Sequence, residues 1–324
     1  MAERLAGPCT EAPPPGGAPA AAPPDAVSGW VDRLPARLKP WARLGRFDRP
    51  VGVWLLFWPS AVGLALGGTL GGLLLLPWFL LGSIAMRAAG CAYNDIIDRD
   101  LDRRVARTAA RPVAAGNVSV RGAAAFAAAM SLLGLLVLLQ LPARAQMIAL
   151  LSLGPVALYP FMKRVTWWPQ AWLGLTFNWG IWVGWAAGES PAPLDAAALA
   201  HAGCLFWTLG YDSIYAVQDR EDDALAGIRS SARRLGDRVR PAVGLFYLAA
   251  VALWAAALLA ARPDPLILLG LVPAAAHLAR QVARFRPEAP GAALAVFRSN
   301  AQTGFLLFCA FLLTVPLDLG RAGF

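Results

Sequence analysis

The chain reads as an all-α protein that crosses a membrane many times, with about nine helices bundled around a central cavity. Three observations predict this. Apolar residues make up 58% of the 324 residues and charged residues only 15%, a balance that soluble domains rarely reach. The apolar residues fall in long blocks, as membrane-spanning helices require. The basic residues are also unevenly divided. Of 29 Lys and Arg residues, all but Arg87, Arg144, Arg262 and Arg321 lie in the N-terminal region or in the loops after the second, fourth, sixth and eighth spans. Such asymmetry sets membrane orientation. The net charge of +9 is thus explained by topology, and nucleic acid is not an expected partner.

Residues 1–40 are expected to be a disordered tail rich in Ala and Pro, because their composition offers no apolar run to bury. Glu3, Glu11 and Asp25 accompany Arg4 there, which argues against a cleavable signal or an organellar transit peptide. Within the tail, Trp30 to Trp41 is expected to form a short amphipathic helix on the membrane surface. Residues 41–324 form one transmembrane domain. Its spans are expected near 50–69, 72–95, 122–140, 145–161, 169–187, 196–219, 241–261, 264–279 and 301–318. Gly and Pro inside several of them are tolerated in bundles. Gly63, Gly67, Gly68 and Gly71 let helices approach closely or leave groove space. Trp54, Trp58, Trp78, Trp167, Trp168, Trp179, Trp182 and Trp185 fit interfacial or packing positions.

Little else in the chain carries chemistry. Cys9, Cys91, Cys204 and Cys309 are scattered without ligand spacing and read as isolated reduced thiols; His201 and His277 are equally isolated. No Gly-rich phosphate loop, nucleophile elbow or HExxH is present.

Two acidic clusters stand out, about 120 residues apart and each at the end of a span. Each is followed by an Arg-rich stretch and a new span, a weak internal repeat that would let two halves face one cavity. In the first cluster Asp95, Asp98 and Asp102 share a helical face, and Asn94 and Asp98 are four apart. In the second, Asp212, Tyr215, Asp219 and Asp223 fall at spacings of three, four and four. Asp100, Glu221 and Asp222 lie off these stripes. Oxygen-only ligands suit Mg²⁺, which takes one or two carboxylates together with water and phosphate oxygens. A shared metal bridging a diphosphate relieves the cost of so many carboxylates beside a bilayer. Arg87 lies seven residues before Asn94 and eight before Asp95, on their face but deeper in the span. A charged residue inside a span marks a site by default. It serves as an anchor for the carboxylate of an aromatic co-substrate or for a stripe aspartate, or else as half of a structural ion pair.

These residues resemble the intramembrane aromatic prenyltransferases of the UbiA superfamily, most of all its 4-hydroxybenzoate branch. The resemblance is carried by Met86-Arg87-Ala88-Ala89-Gly90-Cys91 leading into NDxxDxxxD, then Arg107-Thr108 and Arg111-Pro112. Tyr159-Pro160-Phe161-Met162-Lys163-Arg164, Trp168-Pro169-Gln170, DxxYxxxDxxxD and Gly227-Ile228-Arg229-Ser230-Ser231 continue it. It runs from about Arg43 to the C-terminus.

The resemblance implies transfer of a polyprenyl group from its diphosphate to the ring of 4-hydroxybenzoate, ortho to the hydroxyl, in ubiquinone biosynthesis. Asn94, Asp98, Asp102, Asp212, Asp219 and Asp223 would hold Mg²⁺, and Asp95 belongs to the same motif. Arg46, Arg107, Arg111, Lys163 and Arg229 would neutralise the diphosphate. Arg87 or Arg46 would hold the benzoate carboxylate beside Tyr215. A site carboxylate such as Asp219 would take the ring proton. The partners are thus the diphosphate, the aromatic acid and the bilayer, with no protein partner. A sister enzyme with another aromatic acceptor and, from a different class, a transporter of cations or phospholipids are the competing readings. The Ala, Arg, Gly and Pro content suggests a GC-rich bacterial genome. The expected location is therefore the bacterial plasma (inner) membrane, with the N-terminus and both acidic clusters cytoplasmic.

Overall fold

The computed structural model describes residues 29–105, 108–189, 191–220 and 229–316. Every regular element among them is helical. The chain enters through a 3-10 turn at Trp30–Arg33 and a short helix α1 (Lys39–Leu44), not through one surface helix from Trp30 to Trp41. Pro35 is the cause, since a residue before proline is driven to extended backbone, and Leu34 sits at ψ 152°.

The first half continues with α2 (Val51–Leu66), α3 (Leu76–Ile97), α4 (Arg99–Asp102), α5 (Val120–Leu138), α6 (Ala143–Leu151) and α7 (Leu153–Val165). The second holds α8 (Pro169–Phe177), α9 (Gly180–Ala187), α10 (Leu194–Ala216), α11 (Ser231–Leu235), α12 (Val239–Ala261), α13 (Val272–Arg284), α14 (Pro290–Arg298) and α15 (Asn300–Leu312). Among the described residues, five helical stretches are long and apolar enough to cross a membrane: Gly71–Ile97, Val120–Leu138, Ala143–Val165, Ser231–Ala261 and Pro265–Arg284. Length and composition thus account for five crossings where nine are expected. In the other four expected spans, α2 has 16 residues and α15 has 13. The stretch 169–187 is split into α8 and α9, and α10 carries His201, Thr208 and Asp212 among its 23 residues.

Helix α10 is the centre of the bundle, packed along α12 and against α8, α9, α14 and α2. Its Trp207 has no exposed surface, packs edge-on to Trp254 of α12, and donates through Nε1 to Asn300 Oδ1 of α15 at 2.7 Å. An indole N–H and an amide oxygen that satisfy each other can be buried without penalty. Two breaks in the helices also have polar causes. Asn178, fully buried between α8 and α9, donates to Gly174 O at 2.7 Å and to Thr208 Oγ1 at 2.9 Å. Its own backbone carbonyl faces His201 Nδ1 at 3.2 Å, so His201 is spent on structure. Between α6 and α7, Ser152 Oγ donates back to Ala149 O at 2.6 Å. Such local bonds compete with the helical ladder.

Two of the arginines outside the basic loops are explained by helix ends. Arg144 donates to Ala186 O and Gly188 O at the end of α9, and Arg262 donates to Leu313 O after α15. A cation at a helix C-terminus is favourable.

Helices α2 and α9 cross at van der Waals contact of their backbones. A Cβ at Gly63 would lie 2.3 Å from Ile181 O, and one at Gly184 2.5 Å from Ser60 O. This is small-residue packing of the membrane type. Gly68, at φ 81°, turns the chain instead, and Gly71 faces open space. Gly184→Ala is therefore expected to cost about 1–3 kcal/mol by overpacking and to lower Tm in detergent, while Gly71→Ala leaves it unchanged.

Candidate active site

A cavity of about 410 Å³ opens between α2, α3, α7, α8, α9, α10 and α14. Both helix breaks face it: Ala149, Ser152 and Leu153 line it from one, and Phe177, Trp179 and Gly180 from the other. Irregular backbone at membrane depth is tolerated where it borders such a space. Leu55, Leu56, Val156 and Leu173 make one part of its wall apolar, and arginines, Asn94 and acidic residues make another part polar.

Helix α3 supplies Arg87, Asn94 and Asp95 to this wall, on the face their spacing predicts. Helix α10 supplies Tyr211, Asp212 and Tyr215, so the two acidic clusters meet at one cavity. The first cluster does not stay on one helix. It ends at Ile97, Asp98 sits at the junction, and Asp102 belongs to α4.

All three aspartates are buried, at 0%, 1% and 4% exposure, and each is matched by a base. Asp95 accepts from Arg46 Nη2 at 2.6 Å and faces Arg111 Nη1 at 3.6 Å. Asp98 is bound by Lys163 and lies 3.5 Å from Arg164. Asp102 accepts from Arg111 Nη1 at 2.9 Å. Burial pushes the Asp102 carboxyl above the usual carboxylate range, and Arg111 beside it pulls the other way.

Arg46 reaches Asp95 from the turn between α1 and α2, where its backbone takes φ 58° and its Nη1 donates to Arg43 O at 3.0 Å. A non-glycine residue in that region stores about 1–3 kcal/mol of strain, which the buried ion pair offsets. The loop after α4 folds back through Thr108 Oγ1, which donates to Asp102 O at 3.0 Å and so carries Arg111 to the site.

Arg87 differs from the other arginines here. No ion pair or hydrogen bond joins its guanidinium to another described residue, and its Nε is buried without a partner. It lies flat over the backbone of Gly52, where a Cβ would come within 2.0 Å of Arg87 Cζ.

The other expected site residues are more scattered. Asp98, Asp102 and Lys163 stand behind the cavity wall in their ion pairs. Asp219 lies just past α10, in a 3-10 turn at Val217–Asp219. Arg229 points away, donating to Val165 O at 2.8 Å and lying over the Trp167 ring. Arg107 and Asp223 fall outside the described residues. No three His, Cys, Asp or Glu side chains gather as a metal site among the described residues. Cys91, Cys204 and Cys309 are free thiols. The cavity also takes Arg49, Tyr159, Tyr211 and Arg298. Arg49 and Arg298 are hidden in the sequence because loop topology already explains an arginine there. Tyr159 and Tyr211 lie within apolar runs, where an aromatic residue reads as packing.

Comparison with known proteins fits this arrangement. Residues 56–314 match the UbiA prenyltransferase family. The chain is 39% identical over 286 residues to the mitochondrial 4-hydroxybenzoate polyprenyltransferase of Drosophila melanogaster, covering 87% of this chain and 73% of that one. It is 37% identical over 290 residues to the human mitochondrial enzyme of the same name, covering 87% and 77%. A UbiA homologue from Aeropyrum pernix K1 superposes with a TM-score of 0.66 at 26% identity, over 81% of this chain and 97% of that one. One from Archaeoglobus fulgidus, bound to GPP and Mg²⁺, shares the fold with a TM-score of 0.64 at 21% identity, over 85% and 99%.

The similar curated enzymes are mitochondrial and eukaryotic, and this overturns the expected bacterial plasma membrane. Residue composition reports the base content of a genome, and the basic loops report which ends of the helices share a side; neither identifies a membrane. The chain, by its matched length and its relatives, belongs to the UbiA prenyltransferase family.

Proposed function

We propose that the chain transfers a polyprenyl group from its diphosphate to the ring carbon of 4-hydroxybenzoate next to the phenol, as a step of ubiquinone biosynthesis. The names and identities of its relatives support the reaction. The observation in the chain itself that carries the reading is Arg87, a partly buried guanidinium without an ionic partner among the described residues, on the wall of a cavity that also holds Asn94, Asp95 and Asp212.

The polar wall suits the diphosphate. Arg46, Arg49 and Arg111 supply the charge, and an arginine fork matches phosphate oxygens. Asp95 Oδ2 is buried with no hydrogen-bond partner among the described residues, and Asn94, Asp95 and Asp212 are hard oxygen donors lining the same cavity. That donor class fits Mg²⁺ held by few carboxylates and completed by phosphate oxygens. When bound, Mg²⁺ would neutralise charge developing on the departing diphosphate. Asp98 and Asp102 act from behind, by fixing Lys163 and Arg111.

The apolar wall takes the first isoprene units and keeps water from the allylic cation once its C–O bond ionises. Arg46 is already committed to Asp95 and Arg43 O, so Arg87 is the better anchor for the benzoate carboxylate. From there it turns the ring carbon beside the phenol toward the cation. The ring proton leaves to a carboxylate on the wall, for which Asp95 Oδ2 and Asp212 are the two candidates.

The direct test is product formation in membranes containing the protein, with labelled 4-hydroxybenzoate and a polyprenyl diphosphate, in Mg²⁺ or in chelator. A lipid-soluble labelled product that requires Mg²⁺ is expected. No product from folded protein would move the acceptor to another aromatic compound.

Arg87→Ala should raise KM for the aromatic acid roughly tenfold or more, the worth of a charged hydrogen bond, with little change for the diphosphate. Gly52→Ala should do the same, because the added methyl displaces the guanidinium. Equal effects on both substrates would assign Arg87 to structure.

A further inference from the structure

A second cavity, of about 280 Å³, lies between α13, α14 and α15, away from the site described above. From α13 it is lined by His277, Arg280, Gln281 and Arg284, which at spacings of three, four and seven form one helical face. Ser299 and Gln302 line the opposite side.

The floor is a polar network inside an otherwise apolar bundle. His277 Nδ1 lies 2.8 Å from Thr303 Oγ1. Gln281 Nε2 donates to Ser299 Oγ at 2.8 Å and to Thr303 Oγ1 at 3.2 Å. Gln281 is only 3% exposed, and its Oε1 has no hydrogen-bond partner among the described residues.

The mouth is basic. Arg280 and Arg284 are exposed, and no ion pair or hydrogen bond joins either of them to another described residue. Arg284 is not needed to cap α13, because Arg240 already donates to Val282 O and Ala283 O at its end. Two unpaired guanidinium groups one turn apart suit a phosphate. The pocket lies at the end of a helix long and apolar enough to cross a membrane, and its α14 wall of Ala292, Ala295 and Val296 is apolar. A phosphate with acyl chains attached fits such a place better than a free ion, since basic pockets between spans hold anionic headgroups.

We propose that this cavity binds the headgroup of an anionic phospholipid. Its phosphate sits between Arg280 and Arg284. Helix α14 is a wall of both cavities: Leu294, Phe297 and Arg298 face the first, and Ala292, Ala295 and Val296 the second. A lipid in the second cavity therefore braces the helix that closes the first.

The test is native mass spectrometry of the full chain released from nanodiscs of phosphatidylcholine with phosphatidylglycerol. Retention of phosphatidylglycerol over phosphatidylcholine is expected, falling roughly tenfold or more in the Arg280→Gln/Arg284→Gln double variant. These are surface changes and the variant should keep its Tm. Arg286→Gln, outside the cavity, should change nothing. Equal retention in wild type and the double variant, or an equal loss in Arg286→Gln, would overturn the site. A parallel arm adds inorganic phosphate to phosphatidylcholine discs. Stabilisation by phosphate without any preference for phosphatidylglycerol would overturn the lipid in favour of a free anion.

Discussion

Asp95 is the constraint on which the polar end of this molecule depends. It has no exposed surface, yet it stands on the wall of the cavity with Arg46 and Arg111 against one of its oxygens. Removing one partner of a buried pair of this kind costs about 3–5 kcal/mol, because the other charge is left alone. Three separate segments converge on this carboxylate: the strained turn before α2, the helix α3, and the loop that follows α4. The second oxygen is left without a hydrogen-bond partner among the described residues. The same pairs that make burial tolerable also hold the arginines in position, so structural and chemical demands meet in one network.

The rest of the architecture explains how a membrane bundle can hold so polar a site. Asn178 and Ser152 end helices at the depth of the cavity, and each satisfies a carbonyl as it does so. The freed backbone borders the cavity and not lipid. The close crossing of α2 and α9 through Gly63 and Gly184 packs together two of the helices that line this cavity. A cavity lined by both apolar and charged side chains offers what an isoprenoid diphosphate requires: a dry place for the cation and a charged one for the leaving group.

Much of this is legible in the sequence, for reasons that also explain what is not. The apolar blocks and the sided arginines report the bilayer, which acts on every residue. Arg87, Asn94 and Asp95 can be placed together because they share one uninterrupted helix, where spacing fixes direction. Asp98 and Asp102 escape that logic because α3 stops at Ile97 and the chain changes axis, so an i, i+4 stripe no longer describes one face. Arg49 and Arg298 are invisible for a different reason: the topology rule accounts for an arginine in a basic loop without asking where its guanidinium points. The breaks at Ser152 and Asn178 lie within apolar runs, and only the buried hydrogen bonds reveal why the helices end there. Gly52 reads as one more small residue until the guanidinium resting on it is seen.

In the proposed reaction this network accepts a diphosphate together with a divalent cation. The most direct measurement is equilibrium binding of an unreactive prenyl diphosphate analogue to the purified protein in nanodiscs, with Mg²⁺ and with chelator, for the native chain and for Asp95→Asn. Binding by the native chain should weaken roughly tenfold or more in chelator, and Asp95→Asn should lose that difference and also lower Tm, because Arg46 is left without its buried partner. Equal binding by the native chain with and without the metal would overturn the metal's role.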